Sequence, residues 1–101
     1  WRAIREGMRA VTQPGGTAGG VFAGFPMAVA GKTGTAENPH GDDHAWFVCY
    51  APYEQPRVAL AVLIEQGGHG TAAAAVARDI LADYFRLQMP ELPGSAITTG
   101  E

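Results

Sequence analysis

The feature that most restricts the fold is a pair of apolar segments separated by a very short connection. Residues 45–51 read Ala-Trp-Phe-Val-Cys-Tyr-Ala, and residues 57–65 follow after a connection of five residues, from Pro52 to Pro56. Two parallel strands need a crossover of about a dozen residues or more, so strands joined this closely must pair antiparallel. The sequence therefore predicts an antiparallel strand pair over these two segments.

The alternation of side chains along the two strands predicts how the sheet is covered. Residues 45–51 are apolar on both alternating faces, so this strand is expected to be covered on both sides, by more protein than a sheet this small supplies. Residues 57–65 place branched side chains on one face and mostly small ones on the other, with Val58, Leu60, Val62 and Ile64 opposite Ala59, Ala61, Leu63 and Glu65. The face with the alanines is expected to receive an Ala-rich helix in close packing.

The rest of the chain supplies two helices and a third strand. Apolar residues at helical spacing predict an amphipathic helix lying on a core over residues 1–12 and a second helix over residues 71–87. The Gly-rich residues 14–20 predict a flexible loop. Residues 27–36 are predicted to be extended, and residues 37–43 form a polar loop. The expected fold class is α+β, with an antiparallel sheet of about three strands and a helix from each end packed on it.

Length and charge exclude several classes of protein. A chain of 101 residues makes one domain at most, and a net charge of −3 without a basic patch argues against a nucleic-acid or anionic-membrane partner. No apolar run approaches the ~20 residues of a membrane span. Residues 88–101 contain two prolines and no periodicity, so they are expected to be a disordered tail behind a folded part at residues 1–87. Because the sequence starts within a helical pattern at Trp1, we expect it to be part of something larger.

Single cysteine and serine residues limit the chemistry that this chain can perform alone. Cys49 has no partner for a disulfide or a Cys-based zinc cage, and it is expected to be a small buried hydrophobe. The one serine, Ser95, lies in the tail between Pro, Gly and Ala residues and is a poor candidate nucleophile.

The polar loop raises the question of a metal site. His40 and His44 flank Asp42 and Asp43, but no third ligand of obvious geometry accompanies them. A solvated loop, with His44 capping the strand that follows, explains the same residues, so we expect no metal and no cofactor.

The segment from Ala30 to Glu37 carries the sharpest functional signal. Its Gly-Lys-Thr is not a phosphate-binding P-loop, because Pro26 stands where that motif needs glycine and no helix can follow directly. An extended Lys-Thr-Gly is instead typical of serine acyltransferases that act on D-alanyl peptides and β-lactams. A strand that lines a cleft offers backbone groups to a peptide substrate, and Gly34 would let that substrate approach closely.

An ordered set of motifs resembles the C-terminal part of the transpeptidase domain of class B high-molecular-mass penicillin-binding proteins, of the penicillin-binding protein 2 type. The resemblance covers about residues 1–87. The set comprises Gly7-Met8, Gly16-Thr17-Ala18, Gly31-Lys32-Thr33-Gly34-Thr35-Ala36, His44-Ala45-Trp46-Phe47-Val48, Ala51-Pro52, Ala59-Leu60-Ala61-Val62 and Glu65-Gln66-Gly67-Gly68.

The resemblance implies a part of a larger β-lactamase/transpeptidase-like fold and assigns roles to four residues. Lys32 would share in proton handling and in the electrostatics of the cleft, as a catalytic residue. Thr33, Gly34 and Thr35 would bind substrate, the two threonines through its terminal carboxylate. The Thr35 amide would also supply half of the oxyanion hole, which makes Thr35 the second catalytic residue.

One departure from the family pattern limits what this chain does alone. The family also needs Ser-x-x-Lys and Ser-x-Asn, and neither is present here. The N-terminal remainder of the same domain is therefore the expected partner, and the 101-residue chain alone is expected to be inactive. A β-lactamase or β-lactam sensor of the same fold, or a non-catalytic binding or scaffold module, remains as an alternative.

The family also implies a biological setting for this chemistry. It would cross-link peptidoglycan stem peptides, be acylated by β-lactams, and serve cell-wall biogenesis and cell shape. It would work at the outer face of the cytoplasmic membrane, held there by an anchor outside these residues.

Overall fold

The computed structural model describes residues 1–66 and 68–87, which form two helices and one antiparallel sheet. The order along the chain is α1 (Arg2–Val11), β1 (Ala30–Ala36), β2 (His44–Ala51), β3 (Val58–Ile64) and α2 (Gly70–Phe85). The strands lie in the order β1-β2-β3, with both pairs antiparallel. The predicted α+β architecture is confirmed, and the predicted tail at residues 88–101 lies outside the described residues.

The register of the sheet sets two faces with different surroundings. Phe47 lies opposite Thr33 on β1 and Val62 on β3, so these three side chains share one face. Trp46 lies opposite Gly34 and Leu63, which share the other face. A single-residue slip would exchange the two faces. The register therefore decides which side of β1 each residue of Lys-Thr-Gly-Thr occupies.

The core forms where α2 covers the Phe47 face. Phe47, Leu81 and Val29 are its largest fully buried side chains. The prediction that α2 packs on the alanine face of β3 is wrong, because the branched residues of β3 contact the core while Ala59 and Ala61 are exposed. The small side chains come from the helix instead, since Ala73, Ala74 and Ala77 are fully buried. Large side chains on the sheet meet small ones on the helix, which lets the two layers pack closely.

The described residues cover only one face of β2, so the coverage of its second face by further protein stays a prediction. Ala45, Phe47, Cys49 and Ala51 are buried, but on the opposite face Val48 is exposed and Trp46 is half-buried. Leu63 of β3, on that same opposite face, is 62% exposed. The apolar character of both faces in the sequence exceeds what residues 1–66 and 68–87 cover.

Helix α1 packs less than its amphipathic pattern predicts. None of its residues is buried, and Trp1 and Ile4 are largely exposed. Contact with the core comes at its C-terminal end, where Val11 is half-buried and the hydroxyl of the buried Thr12 donates to the Val29 carbonyl at 2.6 Å. The helix therefore meets the core at one end rather than along its length.

The connection after α1 is a series of hydrogen-bonded turns rather than the predicted flexible loop. The amide of Ala18 donates to the Val11 carbonyl at 2.9 Å, and Ala18 is fully buried. The backbone at Gly16 lies so close to the Ala10 carbonyl oxygen that a β carbon there would collide with it. Glycine at this position allows the chain to fold back on the end of α1.

The thiol of Cys49 is expected to be unreactive while the fold is intact. Burial on the core face of β2 raises the pKa of Cys49 to about 12, so about one thiol in ten thousand is ionised at pH 8. We expect Ellman's reagent at pH 8 to modify Cys49 only after denaturant is added. Rapid modification without denaturant would contradict the burial of this face.

No helix among residues 1–66 and 68–87 combines the length and apolar character that crossing a bilayer requires.

Candidate active site

Strand β1 forms one edge of the sheet, and its backbone directions identify the groups on that edge. Just before β1, the Ala28 carbonyl accepts from the Tyr53 amide at 2.9 Å, on the side of β2. The next carbonyl, that of Val29, points the other way and accepts from Thr12. Because backbone groups alternate in direction along a strand, the amides and carbonyls of Thr33 and Thr35 point to the same side as Val29, away from β2. Within the described residues, no strand pairs with this edge of β1, and we call it the free edge.

Lys32 lies on the face of the sheet opposite α2, and its ammonium group reaches back to the free edge. Its Cα partner across the sheet is Val48. The side chain is exposed, and its Nζ donates to the Thr33 carbonyl at 2.7 Å. This contact agrees with the direction deduced for the Thr33 carbonyl, and it places a positive charge beside the edge.

The two threonines lie on the α2 face of the same strand. Thr33 is half-buried and Thr35 is exposed, and both belong to the strand that forms the free edge. Strand β1 thus brings the predicted site residues Lys32, Thr33, Gly34 and Thr35 to one edge, with the lysine and the threonines on opposite faces. Backbone donors, hydroxyls and a cation along one edge are suited to an extended peptide with a terminal carboxylate.

The structure gives a different reason for Gly34 from the one expected. The space that a β carbon at Gly34 would need is occupied by the indole ring of Trp46. The predicted close approach of a substrate to the side-chain position of Gly34 is therefore not available on that face. Glycine instead allows Trp46 to lie against β1, beside Lys32.

The beginning of α2 packs directly on the Lys-Thr-Gly backbone. A β carbon at Gly70 would lie 2.8 Å from the Thr33 Cβ and 2.9 Å from the Gly34 nitrogen. Such distances are shorter than ordinary van der Waals contact, so the helix approaches this closely only because residue 70 is glycine. Gly70 was not predicted to have a role, although a glycine directly before an Ala-rich helix was a visible signal.

A second residue missed as a site residue contacts Thr33 from the other direction. The hydroxyl oxygens of Thr17 and Thr33 are 3.2 Å apart, within hydrogen-bond distance. In the sequence, Thr17 stood out only as part of the Gly16-Thr17-Ala18 motif. Its contact depends on the turns after α1, which residue spacing does not reveal.

The polar loop at the end of β1 is organised by hydrogen bonds among its own residues. The Asn38 amide donates to the Asp43 carboxylate at 3.2 Å. His44 lies at the start of β2, where its Nδ1 accepts from the Gln66 amide at 2.9 Å, in line with the strand-capping role predicted for it. Over residues 1–66 and 68–87, no three His, Cys, Asp or Glu side chains lie together as a possible metal-ligand set.

Comparison with known proteins identifies the family of this chain. The family described as "Penicillin binding protein transpeptidase domain" matches residues 1–82. The chain belongs to this family. The expectation of a class B protein of the penicillin-binding protein 2 type is confirmed by its relatives and structural neighbours.

Two curated relatives of this transpeptidase family member illustrate the likeness in sequence. The chain is 35% identical to the peptidoglycan D,D-transpeptidase MrdA of Haemophilus influenzae, with 91% of the chain and 17% of the relative covered. It is 41% identical to the peptidoglycan D,D-transpeptidase PbpA of Mycolicibacterium smegmatis, with 75% of the chain and 16% of the relative covered. The chain thus spans about a sixth of the length of these transpeptidases.

Solved structures of penicillin-binding proteins share the fold. Penicillin-binding protein 2 of Helicobacter pylori, solved in complex with MreC, superposes with a TM-score of 0.77 at 31% identity, covering 84% of this chain and 16% of that one. Penicillin-binding protein 2 of Pseudomonas aeruginosa, solved in complex with WCK 5153, gives a TM-score of 0.74 at 30% identity, covering 95% and 22%. The predicted β-lactamase/transpeptidase-like fold is confirmed.

Proposed function

We propose that this chain forms one wall of the active site of a serine D,D-transpeptidase that cross-links peptidoglycan and is acylated by β-lactams. The observation that carries the proposal is the Lys-Thr-Gly-Thr segment on a strand edge that no described strand pairs with. Membership of the transpeptidase family and relatives named peptidoglycan D,D-transpeptidases support it. These names favour a transpeptidase over a β-lactamase, a β-lactam sensor or a non-catalytic module.

In the proposed reaction, a serine from another segment attacks the carbonyl carbon between the last two D-alanines of a stem peptide. The serine proton passes to a base, a tetrahedral oxyanion forms, and the terminal D-alanine leaves with a proton as the acyl-enzyme forms. An amine of a neighbouring peptide then attacks the acyl carbon, and the serine regains its proton as the cross-link is made. A β-lactam enters the same first step by opening its ring.

The Thr35 amide is proposed as the oxyanion donor of this chain. Its N–H points to the free edge of β1, where an extended substrate can lie beside the strand. A fixed backbone donor needs no reorganisation when negative charge develops on the carbonyl oxygen, and losing one such donor costs about 3 kcal/mol in a well-studied protease. The second donor of the oxyanion hole is proposed to come from the segment with the serine.

Lys32 and the two threonines are proposed to handle charge in this site. The Lys32 ammonium, beside the Thr33 carbonyl, stabilises anionic substrate and takes part in proton transfer with the serine-bearing segment. The hydroxyls of Thr33 and Thr35 donate to the terminal carboxylate, and hydrogen bonds to a charged acceptor are about twice as strong as neutral ones.

The partner and the location follow from the same proposal. The remainder of the domain, with Ser-x-x-Lys and Ser-x-Asn, would close the groove along β1. The active site would work at the outer face of the cytoplasmic membrane, in cell-wall biogenesis and cell shape, anchored through another segment. These residues would make no membrane contact and bind no nucleic acid.

Labelling with fluorescent penicillin tests the proposal. We expect a domain that carries this chain together with the preceding serine-bearing segment, the complete domain, to show a covalent label on a denaturing gel. We expect the 101-residue chain alone to show none, because the proposed nucleophile is on the other segment. A label on the isolated chain, or none on the complete domain, would contradict the proposal.

A further inference from the structure

We propose that Thr17 is a positioning residue that donates a hydrogen bond to the Thr33 hydroxyl and so directs the Thr33 proton toward the carboxylate of the substrate. The inference rests on the proposed function, because it concerns the carboxylate subsite of the same strand edge. The contact that carries it is the 3.2 Å distance between the two hydroxyl oxygens, from residues sixteen positions apart.

The backbone around Thr17 is fixed by the fold. On one side, Gly16 packs against the carbonyl groups at the end of α1, and its amide donates to the Gln13 carbonyl at 2.8 Å. On the other side, Ala18 is fully buried and its carbonyl accepts from the Phe22 amide at 3.1 Å. Thr17 itself is exposed between these two anchored residues. The Thr17 hydroxyl thus contacts Thr33 from a segment whose backbone is fixed on both sides of Thr17.

Thr33 is restricted from a second direction. Gly70, at the start of α2, packs against the Thr33 Cβ so closely that no β carbon fits between them. Thr33 is β-branched, so its hydroxyl has few rotamers to choose from. With Gly70 on one side and the Thr17 hydroxyl on another, the position of the Thr33 oxygen is set by its neighbours before any ligand binds.

The direction of the hydrogen bond decides what Thr33 can do. A hydroxyl group has one proton to donate and two lone pairs that accept, while a carboxylate only accepts. If Thr33 donated to Thr17, it would present lone pairs to the carboxylate and repel it. Thr33 can donate to the carboxylate only when its proton is not given to Thr17, so a hydrogen bond between the two hydroxyls in the ligand complex has Thr17 as its donor. A hydroxyl that already accepts a hydrogen bond is also polarised into a better donor.

Replacement of the Thr17 hydroxyl in the complete domain tests this role. Thr17→Val keeps the size and branching of the side chain and removes the donor, while Thr17→Ser keeps the donor. We expect Thr17→Val to lower the second-order rate of acylation by benzylpenicillin roughly three- to tenfold, the range for one neutral hydrogen bond. Thr17→Ser should retain most of the wild-type acylation rate. Thr71→Val, at an exposed threonine of α2, is the matched control and should keep the wild-type rate.

A ligand without the carboxylate separates positioning from a general structural effect. The methyl ester of the same penicillin is expected to acylate wild type and Thr17→Val at nearly equal rates, because the Thr33 proton then has no anionic acceptor. In a Thr33→Val background, adding Thr17→Val should cause little further loss. The melting temperature of each variant reports whether the fold is retained.

The outcomes of these experiments distinguish a failure of the proposed role of Thr17 from a failure of the proposed function. Equal rates for wild type and Thr17→Val with benzylpenicillin would overturn the role of Thr17 and leave the proposed function standing. Equal losses with the acid and the ester, or a Thr17→Ser variant as slow as Thr17→Val, would also overturn it. A wild-type domain that is not acylated at all would overturn the proposed function and this inference together.

Discussion

Replacing Lys32 with alanine in the complete domain should slow acylation by benzylpenicillin at least a hundredfold without unfolding the protein. Proton transfer by a positioned group contributes about 10²–10⁴-fold to a rate, and Lys32 is the cation beside the free edge of β1. Its side chain is exposed, and the bond it makes in the structure is to the carbonyl of its own neighbour. The fold therefore loses little when it is removed, while the site loses its positive charge.

A matched control distinguishes an effect of the position of Lys32 from the general effect of losing one positive charge. Arg57→Ala removes one exposed positive charge close to the start of β3, away from the free edge of β1. Rates of acylation and melting temperatures of both variants are measured side by side. We expect a large loss of rate for Lys32→Ala and a wild-type rate for Arg57→Ala. Equal rates of acylation for the two variants would show that Lys32 is not part of the active site.

Replacing Gly34 with alanine should damage both stability and acylation, through Trp46. The added methyl group would occupy the position of the Trp46 indole, so the ring or the strand must move. Overpacking of this kind costs about 1–3 kcal/mol of unfolding free energy. Gly34 lies between the two threonines of the site, so any movement of the strand also displaces them. We expect acylation by benzylpenicillin to be undetectable over the time in which the wild-type domain is acylated.

Two further variants test this explanation by denaturant unfolding of the complete domain. Gly7→Ala is the control, because a β carbon at Gly7 meets nothing within 4 Å on helix α1 and should stabilise it by about 0.5–1 kcal/mol. In a Trp46→Ala background the ring is gone, so Gly34→Ala should cost much less than it does in the wild type. An equal cost in both backgrounds would show that Trp46 is not the reason for glycine at this position.

The architecture followed from the sequence because its strongest signals are local. The short connection from Pro52 to Pro56 requires an antiparallel pair, and the parity of residues 57–65 separates a branched face from a small one. Lys32, Thr33 and Thr35 were predicted together because Lys-Thr-Gly-Thr is a motif of the family that the sequence resembles, and their roles stay predictions. The antiparallel pair and the two faces of residues 57–65 need only strand geometry and the length of a connection, whereas the site residues needed the family motif.

The errors arose where distant parts of the chain meet. Parity identifies the two faces of β3 but not which of them α2 covers, since that depends on the complementary sizes of Phe47 and the helix alanines. A glycine in the sequence suggests conformational freedom, whereas Gly16 allows close approach to the carbonyls at the end of α1 and Gly70 allows close approach to the distant Lys-Thr-Gly strand. The contact of Thr17 with Thr33 depends on both of these packing arrangements, so residue spacing alone did not reveal it.

The apolar face with Trp46 and Leu63 was predicted to be covered and is open in the described residues. Lys32 lies on the same face, beside the edge of β1 along which the remainder of the domain is proposed to close the groove.

The most direct test of the account is a crystal structure of the complete domain acylated by benzylpenicillin. We expect the carbonyl oxygen of the opened β-lactam to lie about 2.7–3.1 Å from the Thr35 nitrogen. We also expect the carboxylate to accept from the hydroxyls of Thr33 and Thr35, with Lys32 next to the acylated serine. An acyl-enzyme in which the Thr35 amide is paired with another strand, or in which the drug contacts no group on the free edge of β1, would contradict the account.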